Sequence, residues 1–139
     1  MRRVLILATC LVAAILAATA LAAATGAHGK VCGKTKCLVL PRSLATHLSQ
    51  REGTYTSPRA PKPAPYYRIA IKASGDGYIN RTIIWVPSRR LWFLKEYVTP
   101  PGPGYWRTDD PRVRAPLLRL VRRVKPHPAP TSWKAVLPR

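Results

Sequence analysis

From Tyr66 to Ser74 the chain reads YYRIAIKAS, and its side chains alternate: Tyr67, Ile69, Ile71 and Ala73 on one side, Tyr66, Arg68, Ala70 and Lys72 on the other. A period of two predicts a half-buried β-strand. Ser74-Gly75-Asp76-Gly77 is dense in turn formers, and the YINRTIIWV that follows is rich in β-branched and aromatic residues. The two runs are therefore expected to pair as an antiparallel hairpin. Pro87-Ser88-Arg89-Arg90 supplies a second turn before LWFLKEYV. The expectation is a three-strand meander over roughly residues 66 to 98, with Trp85, Trp92 and Phe93 as its large packing groups.

Upstream, Cys37-Leu38-Val39-Leu40 is a short apolar run ended by Pro41, the pattern of a brief strand. Leu44, Ala45 and Leu48 then recur at helical spacing between Pro41 and Arg51, with Gly53 just beyond, so a short helix is predicted there. Downstream, Asp109-Asp110-Pro111 has the form of a helix start, with Asp110 as N-cap and Pro111 in the first turn. Val113, Leu117, Leu120, Val121 and Val124 line one face of that helix, and Arg112, Arg119, Arg122 and Arg123 gather opposite. Pro116 removes a helical hydrogen bond at a cost of about 3 kcal/mol. The helix is thus expected either to kink there or to begin afresh at Pro116, running to Lys125 in both cases and stopping at Pro126. Three stretches read as irregular: the Pro-rich crossing 57–65, the break TPPGPG over 99–104, and the tail 126–139, whose Trp133 could fold back onto the sheet. The predicted class is α+β: a small antiparallel sheet, made of the three-strand meander plus one short N-terminal strand, with two helices packed on it.

The first 27 residues change the picture of where this domain works. Met1-Arg2-Arg3 precedes an uncharged run rich in Leu, Ile and Ala, with small residues near Ala24 and Ala27, the order of an export signal. Cleavage after Ala24 or Ala27 is expected, leaving one small basic domain over 28–125 and the tail. The alternative is a retained N-terminal membrane anchor, since the uncharged run is long enough to cross a bilayer. Processing would also remove Cys10, so that only Cys32 and Cys37 remain. Without Arg2 and Arg3, the 24 Lys and Arg residues become 22, which against five acids leaves a net charge of +17. A soluble surface of this size usually carries a net magnitude of about 2 to 8. An anionic partner is therefore expected: an envelope polymer, an anionic lipid or an acidic protein. Nucleic acid is not the expected partner, because the chain has no groove-reading motif and an exported protein meets little of it.

Residues 32–37, CGKTKC, could bear four kinds of chemistry. A phosphate loop would need glycine where His28 stands, and a helix rather than a strand afterwards. A thioredoxin-like pair has two residues between its cysteines, not four, and opens a helix. A metal site would draw on Cys32, Cys37, His28, His47 and His127, which are scattered over a hundred residues. A disulfide between Cys32 and Cys37 is the simplest use of two cysteines in an exported chain. No nucleophile elbow, zinc motif or carboxylate spacing suggests an enzyme, and no cofactor is expected. Arg112, Arg114, Arg119, Arg122, Arg123 and Lys125 are the candidate anion-binding residues, although the same pattern describes the solvated face of a packed helix. The expected function is that of an exported, non-catalytic basic domain associated with an anionic partner in the cell envelope or outside the cell. Two alternatives are a membrane-active antimicrobial protein using the 112–125 helix, and an envelope redox protein or other enzyme using the cysteines.

Overall fold

The alternating run YRIAIKA forms the strand at the middle of the architecture. In the computed structural model, which describes residues 26–50, 59–74, 79–96 and 104–139 without the side chains of Ile79 and Glu96, six strands make one antiparallel sheet. They are β1 (His28–Cys32), β2 (Cys37–Val39), β3 (Tyr67–Ala73), β4 (Ile79–Val86), β5 (Leu91–Glu96) and β6 (Tyr105–Thr108). Their order across the sheet is β2-β1-β3-β4-β5-β6. The α+β class and the meander β3-β4-β5 are as expected, but the sheet has two more strands than the pattern predicted. β1 offers the core only Gly29 and Val31, and β6 is four residues long behind a run of Pro and Gly, so neither carries a readable alternation. Residues 1–25 of the export signal, 57–58 of the crossing, 75–77 of the first turn, 97–98 of the meander and 99–103 of the break lie outside the described residues.

The two faces of the sheet are covered differently. On one face Val31, Tyr67, Ile69, Ile71, Ile83, Trp85, Trp92 and Leu94 pack under α1 (Arg42–Ser49) and α2 (Pro111–Leu120). Buried Arg81 reaches from this face to the end of α1, where its Nη1 donates to the carbonyls of Leu48 at 2.6 Å and Gln50 at 3.0 Å. It thereby satisfies acceptors that a helix C-terminus leaves open. On the other face Ile84, Val86, Phe93 and Trp106 form a second core with Ala64, Tyr66 and Trp133. The cover here is the Pro-rich crossing and the tail, held together by Tyr66, which exchanges backbone bonds with His127, and by Trp133, whose Nε1 donates to the carbonyl of Pro61 at 2.7 Å. The tail is thus irregular, apart from a 3-10 turn at Trp133–Ala135, yet ordered as the outer layer of the sheet.

α2 begins at Pro111 with Asp110 as its N-cap, runs through Pro116 without restarting, and ends at Leu120, earlier than Lys125. Val121–Arg123 tighten into a 3-10 turn and Val124 becomes extended. That tightening keeps Val113, Leu117, Val121 and Val124 buried on the sheet. It also delivers the carbonyl of Val124 to the Tyr67 hydroxyl, which donates at 2.9 Å.

Truncating a buried indole costs about 3 to 5 kcal/mol. Trp133→Ala is therefore expected to lower the unfolding free energy by about 3 kcal/mol in urea titration, and to expose the crossing to proteolysis.

Candidate functional site

In a chain this cationic the placement of the acids decides which cations remain available. Asp109 and Asp110 sit where β6 passes into α2, and both are buried. Asp109 accepts from Trp85 Nε1 at 3.1 Å and holds Arg114 with both oxygens, at 3.0 Å from Nε and 2.6 Å from Nη2. Asp110 accepts from the backbone N–H of Arg112 at 2.8 Å, from the Arg112 guanidinium at 2.8 to 3.2 Å, and stands 2.9 Å from His47 Nε2 on α1. A histidine on a carboxylate is the form of a general base with its orienting partner. Here the carboxylate is shared with a helix cap and an arginine, and the pair clamps α1 to α2.

Two of the six candidate anion-binding residues, Arg112 and Arg114, are thus engaged by Asp110 and Asp109. Arg119, Arg122, Arg123 and Lys125 are exposed at the end of α2 and the turn after it. Lys125 stands beside the cysteine hairpin, where Lys34 N–H donates to its carbonyl at 2.8 Å. Gly33 lies so close to that carbonyl and to Val124 that a Cβ there would collide with both. The hairpin itself is closed by a Cys32–Cys37 disulfide linking directly paired residues of β1 and β2. Such bonds persist in oxidising compartments.

A second group of cations was not read from the sequence. On the outer face of the sheet, register sets Val39, Lys30, Ala70, Thr82 and Lys95 in one row across five strands. His28, Lys72 and Asn80 form the next row. The row on the opposite side, from Cys32 through Arg68 to Ile84, Phe93 and Trp106, is where the outer layer begins. No described residue covers the half-face beyond it. What results is a depression of about 370 Å³ lined by His28, Gly29, Lys30, Val39, Ala70 and Lys72. Val39 is 79% exposed there, the most exposed large apolar side chain among the described residues. The signal in the sequence was the polar half of the alternation in β3, which names Arg68 and Lys72 but not their neighbours across the sheet.

At the boundary of that half-face, His127 stacks on Tyr66 at 4.9 Å between ring centroids, and its Nε2 is buried without a hydrogen-bond partner. Burial, aided by the charge of Arg68, lowers the His127 pKa below its ordinary 6.5. Among the described residues, no three His, Cys, Asp or Glu side chains converge as a metal site would require. No described helix is long and apolar enough to cross a membrane. Comparison with protein-family models, curated proteins and solved structures finds no match to this chain.

Two outcomes follow from these contacts. Asp109→Asn leaves Arg114 without its buried counter-charge and is expected to cost about 3 kcal/mol in chemical denaturation. Because His127 is held neutral, its contribution is full above pH 6.5 and is lost as the pH falls through 6.5 toward its lower folded value. His127→Phe should keep the stacking and flatten the stability profile between about pH 7 and pH 5.5, measured by thermal unfolding.

Proposed function

We propose that this protein is an exported, non-catalytic basic domain that binds an anionic partner in the cell envelope or outside the cell. The observation that carries the proposal is the division of charge. The two acids with described side chains are both buried on internal partners, whereas Lys30, Arg68, Lys72, Arg119, Arg122, Arg123 and Lys125 face solvent. Exposed cations with no counter-charge among the described residues attract polyanions over about one Debye length, near 8 Å at physiological salt. The disulfide supports an oxidising location. Export also agrees with a signal cut after Ala24. Ala27 is 5% exposed in the main core and β1 starts at the next residue, so a cut after Ala27 would remove a packed side chain.

A membrane-active role through α2 receives less support. The apolar stripe it would insert, including Val113 and Leu117, is packed on the sheet, and releasing it would require unfolding the main core. A redox role would need the Cys32–Cys37 bond to cycle, and that bond closes a hairpin rather than opening a helix.

Retention on immobilised heparin at ~150 mM salt tests the binding reading, and elution at the position of a neutral protein would overturn it. Intact mass of the protein recovered from outside the cytoplasm should begin at Thr25 and lack two hydrogens.

A further inference from the structure

We infer that the open half of the outer sheet face is a trough for one extended anionic chain, of the polysaccharide or polyol-phosphate kind, rather than for a lipid surface or a nucleic acid. The inference rests on the reading above, that the partner is anionic, and adds the place and the chemistry. Its walls and floor come from strand register. Small Ala70 and Thr82 occupy the middle of one row, with Lys30 and Lys95 at its sides, and the next row carries His28 and Lys72. At the β1–β3 end, Lys30 and Lys72 stand around the short Gly29 and Ala70, and these residues with His28 and Val39 line the depression of about 370 Å³.

Spacing separates a chain from a single ion. Residues two apart on a strand lie about 6.6 Å from one another, and adjacent strands about 4.8 Å apart. Lys30 on β1, with Lys72 and Arg68 on β3, therefore present charge at separate points along the strands instead of converging on one, and His28 adds a polar ring beside Lys72. A polymer with regularly spaced phosphate, sulfate or carboxylate groups matches that array.

Shape and composition separate the polymer from other polyanions. A headgroup layer is broad and presses on convex or flat surfaces, whereas this site is concave and bounded by the layer over Ile84 and Phe93. Single-stranded nucleic acid is held by aromatic side chains on which bases stack. Among the described residues the trough offers none: its lining is His28, Gly29, Lys30, Val39, Ala70 and Lys72, and the neighbouring aromatics Tyr66, Phe93 and Trp106 are buried beneath the tail. Val39, exposed on the edge strand, suits the apolar face of a sugar or polyol repeat.

The experiment compares Lys30→Glu/Lys72→Glu with Arg122→Glu/Arg123→Glu, each carrying the same change of charge, for binding a size-defined heparin oligosaccharide, an oligo-dT strand and anionic vesicles at ~150 mM salt. The expected result is that the wild-type domain prefers the oligosaccharide, and that the trough pair weakens it about tenfold or more while the helix-end pair weakens it only a few-fold. Equal losses from the two pairs, or preferential binding of oligo-dT or vesicles, would overturn the trough while leaving an anionic partner in place. Failure of the wild-type protein to bind any of the three would overturn the parent reading as well. Lys30→Ser/Lys72→Ser serves as a second variant, and unchanged thermal unfolding certifies that both pairs are folded.

Discussion

Two carboxylates at the junction of β6 and α2 hold the layers of this protein in register. Asp109 ties β4 to α2 through Trp85 and Arg114, and Asp110 ties α1 to α2 through His47 and its own helix cap. A chain with a formal net charge of +19 repels itself, and each buried acid offsets that where it matters most. Removing either partner of a buried pair leaves an uncompensated charge, which costs more than the intact pair contributes. The helices therefore cannot slide on the sheet without uncovering one.

The same economy governs which basic residues face outward. Arg81 is consumed by the end of α1, Arg107 lies over the Trp92 ring at 5.4 Å, and Arg112 and Arg114 are held by the aspartates. Basic residues in this chain are thus of two kinds, and sequence position does not separate them. Arg112 and Arg122 sit ten residues apart on the same segment and both are exposed, yet Arg112 is held by the aspartate that caps its helix. An arginine next to an N-cap aspartate can fold back on it, a local geometry that charge counting does not register.

Much of the fold was legible because burial writes itself into periodicity. YRIAIKA alternates strictly, and β3 is buried on one face and open on the other for most of its length. TIIWV in β4 and LWFL in β5 do not alternate; Ile83, Ile84, Trp85 and Val86 are all fully buried, as expected for strands covered on both sides. The change from alternating to continuous apolar residues thus marks where the second layer begins, a boundary that could have been drawn from the sequence. β1 and β6 were not legible, since each is short and draws its identity from a neighbour already in place. The trough was hidden for a related reason. It combines β1, β2, β3 and their register, and register across 27 intervening residues between Val39 and Tyr67 leaves no local trace.

The strand order carries a consequence for how the molecule assembles. β3 to β6 are consecutive neighbours, and β1 and β2 form their own hairpin, so each group closes only short loops. Among the six strands the distant pairing is between β1 and β3, across α1 and the proline-rich crossing. Closing that gap carries the largest loop entropy in the sheet. With Cys32 and Cys37 already joined, the hairpin arrives as a preformed two-strand plate whose Gly33 fits against the Lys125 carbonyl. The disulfide thus acts on the order of events: it turns the addition of two short, weakly encoded strands into a single docking step.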